Sequence, residues 1–438
     1  MSAGTRPHRQ QARAALAGWF GTTVEFYDFF VYGLAASLLF PKVFFPAADP
    51  VVGTLISLSS FGVGYVARPF GALLFGHLGD RMGRKSILVT TLMMMGVATT
   101  AIGLLPSYGT WGITAPVLLV ALRIVQGVSL GGESSGAVLL TVEHAEKRRR
   151  GFFGGILNTG TAVGTILANA MFLLVARLPE ADLLAWGWRI PFLVSVLLVV
   201  AGLVIRLGLR ESPEFADVKG SGAVHRLPLV DVLRRCGGTV ALVTLATLGA
   251  GVMITVTSVY VLTYGKTALG LSTSAMLDVL LPGLVVVVIG APLFGRLADR
   301  IGPRAVFVAT AASMVVLPFV WFPLLNTKNP WLMLLGFAVL YIGYAGNFAM
   351  FPVYFSQAFP VSLRFSGMAI GFTFGTIFGN AFAPAISASL LASTGTWVPI
   401  AGYMAAASAV SLVAGLLLRE ARSGQPEVLR EETGAPAA

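Results

Sequence analysis

Charged residues are scarce in this sequence, because Asp, Glu, Lys and Arg make up only 11% of its 438 residues. A soluble protein of this length needs roughly a quarter of its residues charged to cover its surface. Cys236 is the single cysteine, which excludes an intramolecular disulfide framework and a CxxC metal or redox site. All four histidines fall in predicted loops or tails, which argues against an intramembrane haem or metal cluster: His8, His77, His144 and His225.

Long apolar runs are the main feature of the sequence. Runs of about 20 apolar residues recur along the chain, and each can cross a bilayer as a helix. Lipid offers the backbone no hydrogen-bond partner, so helices are expected, and the alternation of a membrane barrel is absent. We predict an all-α membrane protein with twelve transmembrane helices, helix 1 to helix 12, at 16–40, 54–76, 86–105, 115–140, 151–177, 188–208, 237–263, 274–295, 305–325, 331–355, 367–391 and 396–418.

The net charge of +11 follows from topology. Of the 30 Lys and Arg, 23 fall in the tails and alternate connections on one side of the membrane, and five fall on the other side. The positive-inside rule places that side and both termini in the cytoplasm. This predicts a multi-pass protein of a bacterial-type inner (plasma) membrane, in contact with the lipid bilayer and without a nucleic-acid partner. No cleavable signal peptide is evident.

The longest polar interruption divides the chain into two six-helix halves. We predict a cytoplasmic N-terminal tail at 1–15, an N-terminal bundle at 16–208 and a cytoplasmic linker at 209–236. A C-terminal bundle follows at 237–418, and a disordered cytoplasmic tail at 419–438.

An internal repeat supports this division. The segment Gly76-His-Leu-Gly-Asp80-Arg81-Met-Gly83-Arg84-Lys85 follows helix 2, and Gly295-Arg-Leu-Ala-Asp299-Arg300-Ile-Gly302-Pro-Arg304 follows helix 8. Both are predicted as short cytoplasmic turns at the same place in each half. The sequence therefore indicates a duplicated bundle.

These loops resemble the hallmark of the major facilitator superfamily, and further motifs narrow the resemblance. Helix 1 contains Gly21-Thr-Thr-Val-Glu25-Phe-Tyr-Asp28, helix 2 contains Ala67-Arg68-Pro69, helix 4 contains Arg123-Ile-Val-Gln126-Gly127, and helix 6 opens with Gly187-Trp188-Arg189. Together they are similar to the metabolite:proton symporter family, whose members carry shikimate, 2-oxoglutarate, citrate, proline and betaines. The second loop departs from the pattern at Pro303.

The resemblance covers nearly the whole chain and implies the major facilitator fold of two pseudo-symmetric halves. It implies alternating access and proton-coupled uptake of a small polar organic metabolite, such as an organic acid or zwitterion, by a functional monomer. The coupling ion would be H+, with no other cofactor. Proton-coupled efflux and uniport are the alternatives within the superfamily. An enzyme is not expected, because the sequence has no HExxH, no catalytic Ser/His or Cys/His set and no nucleotide-binding loop.

Two acids inside helix 1, Glu25 and Asp28, are the candidates for proton coupling. An ionised side chain in a membrane span costs about 2.5–3.5 kcal/mol on insertion scales, so both should face a cavity or a partner. A buried pair that only fixes helix packing is the alternative. The resemblance suggests that Asp28 pairs with Arg123 on helix 4. Another possibility is that Glu133 takes the proton while Arg123 binds a substrate carboxylate.

Candidate substrate contacts are polar residues near the middle of the membrane in both halves. Each is equally a candidate for a hydrogen bond between helices. Arg68 has two further roles open: it neutralises an acid on helix 1 or 4, or it extends toward the cytoplasmic surface. The set is Tyr32, Arg68, Gln126, Asn158, Tyr260, Tyr264, Tyr341 and Asn347.

The repeated loops are predicted to act as gates between the halves. Their glycines allow close helix approach, and Asp80 can sit against a helix N-terminus across the seam between the halves. Such contacts form in only one state of a rocking cycle. Plain positive-inside charge explains the Lys and Arg but not the Gly and Asp spacing. The gate set is Gly76, Asp80, Arg81, Gly83, Arg84, Lys85, Glu143, Asp299, Arg300 and Arg364.

Overall fold

Helices make up the regular structure throughout the residues that the computed structural model describes, which are 6–82, 84–131, 149–207, 229–360 and 363–419. The long helices of the N-terminal half are α1 (Arg6–Leu38), α2 (Pro50–Met82), α3 (Arg84–Leu104), α4 (Thr114–Gly131), α5 (Arg150–Val175) and α6 (Ile190–Leu207). Short helices Phe40–Val43, Tyr108–Trp111 and Glu180–Ala185 lie in the connections.

The C-terminal half contains a second set of six. These are α7 (Leu229–Thr255, the π-helical turn Val256–Tyr260 and Val261–Thr267), α8 (Thr273–Ile301), α9 (Pro303–Asn326), α10 (Pro330–Ala349 and Phe351–Gln357), α11 (Arg364–Thr376, the π-helical turn Ile377–Ala381 and Ala383–Thr394) and α12 (Val398–Leu417).

Ten of these helices, in the described part of the chain, are long and apolar enough to cross a membrane. The other two are α1, which carries Glu25 and Asp28, and α3, whose apolar part is the shorter Val89–Leu104. The count of twelve spans and the cytoplasmic placement of the termini stay predictions.

Several helices extend beyond the bounds predicted for them. The helix α1 begins at Arg6, inside the predicted tail, and α2 and α8 continue to Met82 and Ile301. The repeated segments are therefore largely helical rather than turns, and His77 lies in a helix. Hydropathy marks where a chain leaves lipid, whereas a helix can continue into water. In the second copy the turn is reduced to Gly302, whose positive φ of 91° suits glycine.

The predicted start of helix 7 at 237 coincides with a kink. Cys236 has non-helical angles inside Leu229–Thr255 (φ −125°, ψ 15°), so a short helical stretch precedes the span. That stretch occupies the end of the predicted linker.

Glycines allow the closest helix contacts. A Cβ added at Gly71 on α2 would lie 1.8 Å from the carbonyl oxygen of Val128 on α4, which only glycine permits. The predicted small-residue face of helix 11 also packs closely. Gly371, Gly375 and Gly379 lie against α7, whose atoms would be 2.6–3.0 Å from an added Cβ.

The two halves contact each other at several depths. Near the predicted outer end, the hydroxyls of Ser37 (α1) and Thr263 (α7) are 2.6 Å apart. Midway, Asn380 on α11 donates to the hydroxyl of Tyr65 on α2 at 3.0 Å. At the predicted cytoplasmic end, Gly151 of α5 and Gly295 of α8 approach so closely that a Cβ on either would lie 2.3 Å from the other's carbonyl oxygen. The buried polar residues between these contacts form the candidate site.

Candidate transport site

Glu25 and Arg68 form a buried ion pair between α1 and α2. Nη2 of Arg68 lies 2.6 Å from Oε1 of Glu25, and each side chain is 6% exposed. The guanidinium also lies 5.6 Å from the ring centre of Tyr65. Of the roles predicted for Arg68, the neutralisation of an acid on helix 1 is the one observed.

Asp28 lies in a different environment, three residues further along α1. It is fully buried, and its Oδ2 accepts a hydrogen bond from the Thr99 hydroxyl of α3 at 3.0 Å. The Ser195 hydroxyl of α6 lies close to Asp28. Among the described residues Asp28 makes no ion pair, and its Oδ1 has no hydrogen-bond partner.

The predicted direct contact between Asp28 and Arg123 is wrong for this structure, because two side chains lie between them. Nη1 of Arg123 donates to Oε1 of Gln126 at 3.0 Å. Nε2 of Gln126 donates to the Thr99 hydroxyl at 2.7 Å, and Thr99 contacts Asp28. The acid and the guanidinium are thus joined through Gln126 and Thr99.

Aromatic rings hold the Arg123 guanidinium in place. Its central carbon lies 4.1 Å from the ring centre of Phe29 and 4.2 Å from that of Tyr32, both on α1. Cation–π contacts of this kind stabilise a cation that has left water. Gly64 provides the space, because a Cβ there would lie 2.6 Å from Nε of Arg123.

The substrate candidates divide into those that join helices and those that do not. Tyr32 bonds to Ser60 within the N-terminal half, and Asn158 donates to the carbonyl oxygen of Phe348 across the seam at 2.7 Å. Tyr264 donates to Asn326, and the Tyr341 hydroxyl lies 3.2 Å from that of Thr257, in the π-helical turn of α7. These contacts are the hydrogen bonds between helices that were the alternative to substrate binding.

Several buried residues of the C-terminal half keep polar atoms without a partner in the described structure. Among these atoms are both side-chain polar atoms of Asn347, the hydroxyl of Tyr260 and Oδ1 of Asn380. Asn347 and Tyr260 are each only 1% exposed. A buried polar group without a partner is costly, so these atoms are places where a ligand or water would bind favourably.

The second gate segment makes the contact that we predicted for Asp80. Oδ1 of Asp299 accepts from the backbone N–H of Gly151 at 2.8 Å, and Oδ2 accepts from that of Phe152 at 3.1 Å. The carboxylate therefore caps the N-terminus of α5 from the other half, where the helix dipole favours a negative charge. Arg300 lines a cavity of about 360 Å³ beside it, and Arg364 begins α11.

The structure does not describe the rest of the predicted gate or one of the candidates for proton coupling. Gly83, Glu133 and Glu143 lie outside the described residues. The side chains of the first loop segment are also outside them: Asp80, Arg81, Arg84 and Lys85, together with the surroundings of Gly76.

A second ion pair lies on the surface, where Lys42 binds Glu180. The Lys42 ammonium, and more weakly that of Lys266 in the other half, hold the pKa of Glu180 below its usual value. Both partners are more than half exposed, so the pair contributes little to stability.

Sequence reasoning missed Tyr65 and Thr99. Tyr65 lies one helical turn before Arg68, so its place on the same face of helix 2 was a usable signal. Thr99 is one of many threonines in apolar spans, and nothing local distinguishes it. Only the arrangement of helices brings it between Asp28 and Gln126.

Comparison with known proteins identifies the family. A family model described as the Major Facilitator Superfamily matches residues 18–379 and 283–438. The chain belongs to the major facilitator superfamily. Major facilitator proteins similar to it include the "Inner membrane metabolite transport protein YhjE" of Escherichia coli K12, which is 36% identical over 95% of this chain and 96% of that one.

Two other relatives have named substrates. The "Shikimate transporter" of Escherichia coli K12 is 35% identical over 96% of this chain and 97% of its own. The "Proline/betaine transporter" of the same strain is 32% identical, over 93% and 83%. Both confirm the predicted kinship with metabolite carriers. The chain is a multi-pass membrane transporter and not an enzyme.

Solved structures share the major facilitator fold. A crystal structure of a D-xylose-proton symporter superposes with a TM-score of 0.74 at 18% identity, covering 93% of this chain and 97% of that one. A partially occluded inward-open structure of the xylose transporter XylE from E. coli gives 0.71 at 15% identity, covering 95% and 100%. At this identity the likeness concerns the fold alone.

Proposed function

We propose that this chain is a proton-coupled symporter of the bacterial inner membrane, which takes up a small polar organic metabolite together with H+ by alternating access. The names of the relatives, which include carriers of shikimate and of proline and betaine, support the substrate class. The coupling to protons rests on the arrangement of acids in α1.

The observation that carries the proposal is the different setting of two buried acids on one helix. Glu25 has a guanidinium 2.6 Å away. Asp28 has a hydroxyl donor and makes no ion pair among the described residues. A buried carboxyl without a cation is more stable as the neutral acid. Asp28 is therefore suited to carry a proton, while Glu25 is suited to release Arg68 to a substrate.

The charged and neutral polar groups are unevenly divided between the halves, which favours a substrate with one charged end. Arg68 and Glu25 present both signs of charge in the N-terminal half. The partnerless atoms of Asn347, Tyr260 and Asn380 in the C-terminal half are neutral. An organic acid or zwitterion that also carries hydroxyl or amide groups would complement both.

The contacts across the seam support alternating access. Ser37 and Thr263 join the halves near one end of the bundle, and Asp299 caps α5 near the other. At both ends, hydrogen bonds contribute to the contact between the halves. Such contacts can break at one end while they persist at the other.

Reconstituted vesicles that contain a pH-sensitive dye test the proposal. Shikimate, proline and glycine betaine serve as separate probes, added outside vesicles that hold no ion gradient. Symport predicts that the lumen acidifies as a probe enters. Entry without a pH change would show a uniporter, and alkalinisation would show exchange of substrate for protons.

A further inference from the structure

The hydroxyl of Thr99 lies at a junction of three hydrogen-bonding groups from three helices. It is 3.0 Å from Oδ2 of Asp28, 2.7 Å from Nε2 of Gln126 and 2.9 Å from the carbonyl oxygen of Met95 on its own helix. Asp28, Thr99 and Arg123 are fully buried, and Gln126 is 1% exposed.

The chemistry of Arg123 fixes the direction of these bonds. A guanidinium only donates, so the Gln126 amide must present its oxygen to Arg123 and its NH2 to Thr99. The oxygen of Thr99 accordingly accepts from Gln126. Its single hydrogen can be donated to either of two acceptors, the carboxyl of Asp28 or the carbonyl of Met95.

This choice matches the two protonation states of Asp28. When Asp28 is ionised, the Thr99 hydrogen points to the carboxylate, and every bond dipole from Asp28 to Arg123 is aligned between the anion and the cation. When Oδ2 is protonated, it can donate to the second lone pair of the Thr99 oxygen. The Thr99 hydrogen then turns to Met95, the usual back-bond of a threonine in a helix.

We infer that Thr99 is the positioning residue for the Asp28 proton: its hydroxyl rotates between the carboxyl and the Met95 carbonyl, and so satisfies both protonation states while its oxygen keeps the hydrogen bond from Gln126, which links it to Arg123. The inference rests on the proposed role of Asp28 in proton coupling. It adds a residue to that role, and it replaces a direct acid–guanidinium contact by a bridged one.

Among the residues that the structure describes, few other groups lie near this site. Tyr27 adjoins Asp28 on α1, Ser195 faces it from α6, and Arg68 of α2 is bound to Glu25. Apart from Arg150 and Arg206 near one end of each helix, the sequences of α5 and α6 contain no residue that titrates or carries a charge.

Two substitutions distinguish the effect of the Thr99 hydroxyl from the effect of the side chain's shape. Thr99→Val keeps the volume but removes the donor to Asp28 and the acceptor of Gln126, while Thr99→Ser keeps both. Thr100→Val is the matched control, since among the described residues the hydroxyl of Thr100 makes only the back-bond to Gly96, at 2.7 Å.

The test is a pH titration of the purified full-length protein, without substrate, by difference infrared spectroscopy of the carboxyl C=O band. Loss of the band in Asp28→Asn identifies it. A hydrogen bond to an ionised group is among the stronger ones, so Thr99→Val should move the midpoint to higher pH by roughly one to two units. Thr99→Ser and Thr100→Val should titrate within a few tenths of a unit of the wild type.

The outcomes keep the two proposals apart. A wild-type midpoint in folded Thr99→Val, with folding checked by gel filtration and thermal unfolding, overturns the role of Thr99 alone. A shifted midpoint in Thr99→Val, together with normal proton-driven uptake by Asp28→Asn, overturns the coupling role of Asp28 and leaves the bridge intact.

Discussion

Arg68 of α2 and Glu25 of α1 lie 2.6 Å apart in a part of the bundle where each side chain is 6% exposed. Neither charge can be removed without leaving the other buried. Asp28, on the same helix, relies on Thr99 instead.

Breaking the Glu25–Arg68 pair should destabilise the protein strongly. Glu25→Gln or Arg68→Met alone should lower the free energy of unfolding by about 3–5 kcal/mol, because each removes one partner of a buried ion pair. The double variant should lose less than the sum of the two. Denaturant unfolding in detergent measures this. The exposed pair is the control, and Lys42→Met should have a much smaller effect because a surface ion pair contributes little. Additive losses in the double variant would show that the two side chains are not coupled.

Enlarging Gly64 should displace the Arg123 guanidinium. The added Cβ of Gly64→Ala would lie 2.6 Å from Nε of Arg123, so the guanidinium must shift relative to the Phe29 and Tyr32 rings that it contacts. Overpacking of this kind costs about 1–3 kcal/mol, and uptake should fall with it. Gly402→Ala on α12 is the control, since its Cβ meets no atom within 4 Å. Equal melting temperatures for the two variants would contradict the tight fit.

Removing the Asp299 carboxylate should release the first turn of α5. The backbone N–H groups of Gly151 and Phe152 donate to Asp299, so Asp299→Ala exposes them to exchange. Hydrogen–deuterium exchange of the peptide that begins at Arg149 should become faster, by roughly five- to thirty-fold if a cap of about 1–2 kcal/mol is lost. Arg300→Ala, an exposed neighbour, should leave the rate unchanged. An unaltered exchange rate in Asp299→Ala would mean that the Asp299 carboxylate does not stabilise the first turn of α5.

The surface pair should show a pH dependence with a defined sign. Lys42 lowers the pKa of Glu180 in the folded protein. A lowered pKa contributes stability above the usual value for a glutamate, and this contribution is lost as the pH falls through the lowered one. The melting temperature of the wild type should therefore exceed that of Glu180→Gln at neutral pH, with the gap closing in acid. A gap that widens on acidification would contradict the pairing.

The sequence contained enough information for the architecture and for the acids, but not for their partners. Glu25 and Asp28 were predicted to face a cavity or a partner, because an ionised side chain exposed to lipid is energetically costly. Which cation each acid contacts depends on the rotation of α1 relative to α2 and α4. Hydropathy does not determine that rotation. Arg68 pairs with Glu25, whereas Gln126 and Thr99 stand between Arg123 and Asp28.

Other features had no local signal at all. The π-helical turns in α7 and α11 occur in uninterrupted apolar runs, where composition does not mark a change of helix type. The contact of Asp299 with α5 could be predicted in kind, from the spacing of the repeated segments. Its precise partners, Gly151 and Phe152, required the structure.

Proton-driven accumulation by Asp28→Asn is the most direct test of the central claim, that the carboxyl of Asp28 carries the coupled proton. Vesicles with an imposed pH gradient are supplied with whichever of shikimate, proline and glycine betaine the wild type accumulates, and substrate exchange is followed in parallel. We predict that Asp28→Asn loses accumulation and retains exchange, while Asp278→Asn, at an exposed acid of α8, keeps both. Full accumulation by Asp28→Asn would contradict the account.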